Sequence, residues 1–276
     1  MIKISQKPIS VSQLQAGITS KNLLTILQLM ARYPTVFEFD TTEDFQFDLK
    51  MRLNVIQAAQ LLDQSGAEFT ILEDSMCNPR VWRLTGNRAF ELWPKIPPHV
   101  ALNDIFINGQ LYAFECGTAI LVVFYKAILE SIGPTNFDRI FPDLFLYNWH
   151  YHQNLSILVH EGFDYLPGDC LYFKNPDFTP YAPEWQGENA IMLDENLFFA
   201  HGIGVTDQQE IIDELNGNRI LGSMISAYLT THIISIDSSL YKPYSINKAR
   251  DDTDSLGSSL LKQIIFGEIG SNTYLT

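Results

Sequence analysis

An α+β fold is what this sequence of 276 residues predicts, on three features. Helix-spaced apolar residues fill its first quarter, one long apolar helix stands near the middle, and short strand-like runs then crowd together between residues 144 and 202. Strands segregated from helices in this way argue against a doubly wound parallel sheet, in which the two alternate.

Between Ser20 and Tyr33, the residues Leu23, Leu24, Ile26, Leu27 and Met30 fall at helix spacing. Thr41-Thr-Glu-Asp44 is a capping-type start, and the longer helix it opens runs through Leu62 with Phe45, Leu49, Leu53 and Ile56 on one face, until Gly66 ends it. Phe69 to Leu72, Val81 to Leu84 and Ala89 to Trp93 read as a short meander separated by Asn and Gly turns. Pro97-Pro98 breaks the chain before a small helix from His99 to Ile107, and the central helix spans Cys116 to Glu130, stopped by Gly133-Pro134. Leu144 to Trp149 and Ser156 to Val159 read as strands; Leu166-Pro-Gly-Asp169 is a tight turn feeding a strand from Cys170 to Asn175. Gly187 to Leu193 and Leu197 to Gly202 follow as strands, and Gln208 to Leu215 as a helix closed by Gly217. Beyond Asp237 the pattern loosens: Tyr241 to Gly257 reads as a solvated linker and Leu260 to Phe266 as a last apolar patch. The expected organisation is one catalytic domain over residues 1–236 and an extension, partly loop, over 237–276.

Lys and Arg number 18 against 32 Asp and Glu, a formal charge of −14, so binding to nucleic acid would oppose the global field. Three cysteines without a CxxC suggest neither a disulfide scaffold nor a zinc ribbon. The start of the chain carries no basic segment followed by an apolar run, and no stretch approaches the ~18 apolar residues of a membrane span, so synthesis in the cytoplasm and no membrane partner are expected. His150 and His152 could mimic a metal pair but lack a third ligand at useful spacing. The run Asp251 to Gly257 is out of register for a calcium loop, and Gly202-Ile-Gly204 alone is too weak for a nucleotide fingerprint. Neither a metal nor a cofactor is expected.

The residue that carries chemistry is Cys116, set where a turn opens into the apolar helix. Backbone N–H groups at such a start carry positive partial charge, favour a thiolate and can cradle an oxyanion. A small buried cysteine heading a core helix is the bland alternative. Cys77, in a loop with no base in sight, and Cys170, inside an apolar strand, read as inert thiols.

The blocks Phe114-Glu-Cys116 with Thr118-Ala119, Asp169 to Pro176, Trp185-Gln-Gly-Glu-Asn189 and Ala200-His-Gly-Ile-Gly204 occur in that order. A cysteine at a helix start, a Pro-Gly-Asp strand and polar residues on the next two strands resemble the NlpC/P60 branch of papain-like cysteine enzymes. There the second strand carries histidine, and here it carries Glu188. With that departure the chain resembles the spore-associated transglutaminases of Bacillus-type bacteria, from about the first helix to Ser226-Ala-Tyr-Leu229. The resemblance implies a papain-like core, its nucleophile at the start of a central helix packed on a mostly antiparallel sheet. It also implies Cys116 as nucleophile, Glu188 as its partner and Glu115 as a helper, a plain helix-cap carboxylate being the other reading of Glu115. The activity implied joins protein Gln and Lys side chains by an isopeptide bond, through a cysteine thioester, with loss of ammonia and without calcium. The implied partners are spore coat proteins.

A glutamate is at first sight a poor base for a thiol, since the ordinary pKa values differ by about four units, roughly 5.7 kcal/mol. Burial among Trp149, Trp185 and Phe199 and the like charge of Glu115 would raise Glu188, while the helix start would lower the thiol and Glu115 would push it the other way, which leaves the net resting state open in the sequence. His201 is a candidate to orient Glu188 or the acyl group, and Asp169 is expected to pin its turn. Tyr112, Trp149, Trp185 and Phe199 are candidates to wall a dry substrate passage. Two other readings stay open: a cell-wall or protein amidase in which water resolves the thioester, and a noncatalytic coat scaffold with Cys116 idle.

Overall fold

A computed structural model describes residues 1–15 and 18–246. The Leu260 to Phe266 patch and the Asp251 to Gly257 run lie outside the described residues. Contacts group the described chain into two units, 1–46 and 47–246.

The first unit holds β1 (Ile2–Ile4), β2 (Lys7–Ile9), the single turn α1 (Val11–Leu14), α2 (Lys21–Arg32) and β3 (Phe37–Phe39). β1 lies between antiparallel β2 and parallel β3. Runs of three residues are too short to show a period, which is why the sequence did not announce these strands. The expected helix at Ser20 is α2, with Leu23, Ile26, Leu27, Leu29 and Met30 buried and Ser20 as its N-cap, accepting from the Leu23 N–H at 3.5 Å.

α3 (Thr42–Gln64) begins in the first unit and continues into the second. The second unit then runs through β4 (Glu68–Phe69), β5 (Trp82–Leu84), β6 (Phe90–Leu92), α4 (Pro98–Ile107), β7 (Ala113–Phe114), α5 (Cys116–Ile132), α6 (Pro134–Ile140) and β8 (Phe145–Leu146). After these come β9 (Ile157–Glu161), β10 (Cys170–Lys174), β11 (Gly187–Asp194), β12 (Leu197–Ala200), β13 (Gly204–Thr206), α7 (Gln208–Gly217) and β14 (Tyr228–Ile236). Six strands form the main sheet in the order β13-β12-β11-β10-β14-β9, every neighbour antiparallel. The expected α+β architecture, a central helix on an antiparallel sheet, is what the chain adopts.

α5 is buried along almost its whole length, which is how a helix apolar on all sides must sit. It stops at Gly133, whose φ of +78° a residue with a Cβ adopts only under strain, and Pro134 opens the next helix.

Three expectations fail locally, and one strand goes unforeseen. The strand expected over Phe69 to Leu72 ends at Phe69, because its parallel partner β7 lasts two residues before α5 begins; Leu72–Asp74 is a 3₁₀ turn. The strand expected over Leu144 to Trp149 shrinks to β8, since Asn148 takes a φ of +46°. β14, nine residues long and second from the sheet edge, escaped notice because Thr230, Thr231 and His232 blur its apolar alternation. Tyr241 is no linker residue: it is buried, donates its hydroxyl to the Asn154 carbonyl at 2.7 Å and accepts from the Ser156 N–H at 2.9 Å. No helix among the described residues is long and apolar enough to cross a membrane, and no group of three His, Cys, Asp or Glu among them could hold a metal ion.

Candidate active site

Cys116 is the first residue of α5, and Glu115 is its N-cap. The Glu115 carboxylate accepts from the Gly117 N–H at 2.5 Å, from the Thr118 N–H at 2.9 Å and from the Thr118 hydroxyl at 2.5 Å. Two of the donors expected to hold an oxyanion are therefore occupied by the chain's own carboxylate. The same contacts decide the balance that the sequence left open between the helix start and Glu115. Burial pushes the Cys116 thiol up, the nearby Glu188 carboxylate pushes it further and Glu115 adds to both, while hydrogen bonds from Asn189 pull the other way. The Asn189 amide Nδ2 lies 3.3 Å from Sγ and donates to it.

Glu188 sits on β11, 4% exposed, and its Oε1 has no hydrogen-bond partner among the described residues. Burial holds its carboxyl well above the usual carboxylate range and Glu115 raises it again, against a hydrogen bond from the His201 backbone. Both causes are those expected for this residue. The pair is thus a thiol and a carboxyl that are both held toward their protonated forms, with one carboxyl oxygen uncommitted among the described residues.

His201 follows β12 and is buried, with its ring 4.9 Å from that of Phe114 in a stack and hydrogen-bonded to the backbone at Glu68 and Phe114. Its pKa falls to about 4, mainly through burial, so the ring is neutral, and its Nε2 is unpartnered among the described residues. The contact with Glu188 runs through the His201 main chain rather than its imidazole.

A cavity of about 1030 Å³ opens on Cys116, walled by Glu115, Trp149, Tyr172, Glu184, Asn189 and His232 among others. Of the four expected aromatics, Trp149 lines it. Trp185 lies between the wall residues Glu184 and Gln186, its ring 6.3 Å from that of Phe69. Tyr112 and Phe199 are core residues instead. Tyr112 is drawn inward by a hydroxyl bond to Asp104 and by Phe90, and Phe199 by its place on β12, paired on both sides by β11 and β13. Asp169 pins its turn: its carboxylate accepts from the Leu166 N–H at 2.8 Å and pairs with Arg52 at 2.7 Å. Burial pushes the Cys77 and Cys170 thiols up as it does that of Cys116, but neither lines the cavity. Sequence reasoning quoted Asn189 within a motif without giving it a role, and it missed Tyr172, Glu184 and His232. Adjacency to Glu188 was the available signal for Asn189; Tyr172 and His232 are joined to the cavity by sheet register, and Glu184 by the 3₁₀ turn Pro183–Gln186 just before β11.

Residues 1–245 match the model of the family described as protein-glutamine gamma-glutamyltransferase. This chain belongs to that family. A protein-glutamine gamma-glutamyltransferase of Bacillus cereus (strain B4264) is 45% identical over 220 residues, 80% of each chain. One of Bacillus anthracis (strain CDC 684 / NRRL 3495) is 46% identical over 215 residues, 78% of each. Among solved structures, a transglutaminase from Geobacillus stearothermophilus without its C-terminal extension superposes with a TM-score of 0.72 at 43% identity, covering 75% of this chain and 99% of that one. The chain is a transglutaminase, an enzyme that crosslinks proteins through Gln and Lys side chains.

Proposed function

We propose that the cavity on Cys116 is where the crosslink is made, by way of a thioester. Cys116 Sγ bonds to the carboxamide carbon of a protein glutamine. Glu188 takes the thiol proton on one carboxyl oxygen as the other gives its proton to the amide nitrogen, and ammonia leaves. A lysine amine then attacks: the C–N bond forms, the C–S bond breaks, and the amine proton enters Glu188 while the acid proton goes to sulfur. The observation that carries this reading is a buried Glu188 with an unpartnered carboxyl oxygen, its carboxyl pushed up by burial and interacting electrostatically with the Cys116 thiol. In the resting enzyme Glu115 acts as the helix cap, and His201 positions Glu188. Trp149 shields the thioester from water, with Trp185 behind the wall.

The finer reading is that the substrates are spore coat proteins and that the enzyme, made in the cytoplasm, ends in the coat without binding nucleic acid or membrane. It rests on the four motif blocks shared with spore-associated transglutaminases. Residues 1–236 form the catalytic domain in this reading and 237–276 the extension. The reaction uses no calcium. A glutamine-rich protein mixed with a fluorescent primary amine and a calcium chelator should release ammonia and become labelled, and Cys116→Ala should abolish both. Ammonia without label would make the protein an amidase; neither signal, from unmutated protein, would leave it a scaffold.

A further inference from the structure

Resting on the thioester reading, we infer that the Asn189 side-chain amide is the oxyanion donor of both acyl-transfer steps. An oxyanion needs hydrogen-bond donors already in place at ~2.7–3.1 Å from the oxygen as charge develops. The helix start, the usual supplier, has the Gly117 and Thr118 N–H groups committed to Glu115. On the other side of the sulfur stands Asn189, half-buried on a central strand, lining the cavity, with Nδ2 3.3 Å from Sγ. Its main chain also hydrogen-bonds the sulfur, which leaves the side-chain amide a rigid mount at the nucleophile. An oxygen on a carbon bonded to Sγ lies one bond angle from the sulfur, within reach of that amide after a small rotation.

In the first step the S–C bond forms as the carbonyl electron pair moves to oxygen, where the Asn189 N–H holds it. The pair returns as the C–N bond breaks and ammonia departs with the proton from Glu188. The second step repeats this with amine entering and thiolate leaving, so one donor serves both.

Asn189→Leu, nearly isosteric, and Asn189→Ala are compared with the unmutated enzyme in two reactions at the same pH. Acyl transfer, read as ammonia release and amine incorporation, passes through an oxyanion; alkylation of Cys116 by iodoacetamide does not. Protection of the buried Cys170 during alkylation reports that each variant is folded. The expected result is a fall of about 10²–10³ in kcat for both transfer signals, with KM little changed and alkylation slowed only severalfold by the lost bond to sulfur. A transfer loss less than about tenfold greater than the alkylation loss overturns the assignment, since Asn189 would then act on sulfur alone. Unmutated protein that alkylates at Cys116 yet releases no ammonia refutes the thioester reading itself, and the assignment with it.

Discussion

Removing the Glu115 side chain should weaken the fold and sharpen the nucleophile, two effects of opposite sign from one carboxylate. In Glu115→Ala the N-cap of α5 loses three hydrogen bonds, from Gly117 N–H, Thr118 N–H and the Thr118 hydroxyl. Loss of a capping side chain costs ~0.5–2 kcal/mol, and charge-assisted bonds in a half-buried place fall in its upper part, so about 2 kcal/mol is expected. At ~2–4 °C per kcal/mol for a domain of this size, the midpoint of thermal unfolding should drop by about 4–8 °C. The thiol responds the other way. Glu115 is one of the charges pushing Cys116 up, and its removal also frees two helix-start N–H groups toward the sulfur. Below the thiol pKa each unit of downward shift multiplies the thiolate fraction by about ten. Iodoacetamide alkylation of Cys116 at pH 8, followed by mass spectrometry, should therefore be faster in the less stable protein. Alkylation that is unchanged or slower, in protein shown folded by protected Cys170, would refute the claim that Glu115 keeps the sulfur protonated.

Glu188→Gln should lower ammonia release and label incorporation by at least about 10², while leaving Cys116 open to alkylation. The same variant has a pH signature. Because the folded carboxyl titrates above its unfolded value, the fold binds the extra proton, and that contribution is full at pH below about 4.5 and fades as pH rises toward the folded pKa. Denaturant titrations should thus show the variant gaining on the parent as pH increases; a constant difference would count against a buried acid. His201 carries the converse sign, with a folded pKa near 4 against ~6.5 unfolded, so stability due to its neutral ring is present above pH 6.5 and lost as pH falls to about 4. His201→Phe should flatten that part of the acid limb. Arg52→Ala should cost ~3–5 kcal/mol by leaving the buried Asp169 carboxylate without its cation, and adding Asp169→Asn should recover part of the loss.

What the sequence made legible follows from where the information is local. Cys116 could be placed because a cap, an apolar run and a Gly-Pro stop all lie within twenty residues, and the structure puts the helix at Cys116–Ile132. Glu188 could be paired with it only through the resemblance, since a glutamate 72 positions away has no local signal. The wall residues Tyr172 and His232 were illegible for the same reason: β10 and β14 bring them to the cavity by a register that includes a bulge between Leu171 and Phe173. Tyr112 and Phe199 failed in the opposite direction, because an aromatic side chain close in sequence to a candidate site residue, Tyr112 to Cys116 and Phe199 to His201, is as readily core as lining, and burial decides.

The oxyanion donor could not have been assigned without the structure, because it depends on a competition. Sequence places both Glu115 and a row of N–H groups at the start of α5, and a carboxylate one residue before a helix is the natural partner of those groups. Once the carboxylate takes them, the helix start offers less to the thiolate, and the thiol stays protonated at rest. A sulfur so held is poorly reactive toward solvent and stray electrophiles. On the proposed mechanism it becomes a nucleophile only when a substrate amide is in place, with Glu188 taking the sulfur proton on one oxygen and giving up its own to the departing ammonia. The arrangement ties activation to an occupied cavity, and it does so with a buried carboxylic acid where a histidine would stand partly charged at neutral pH.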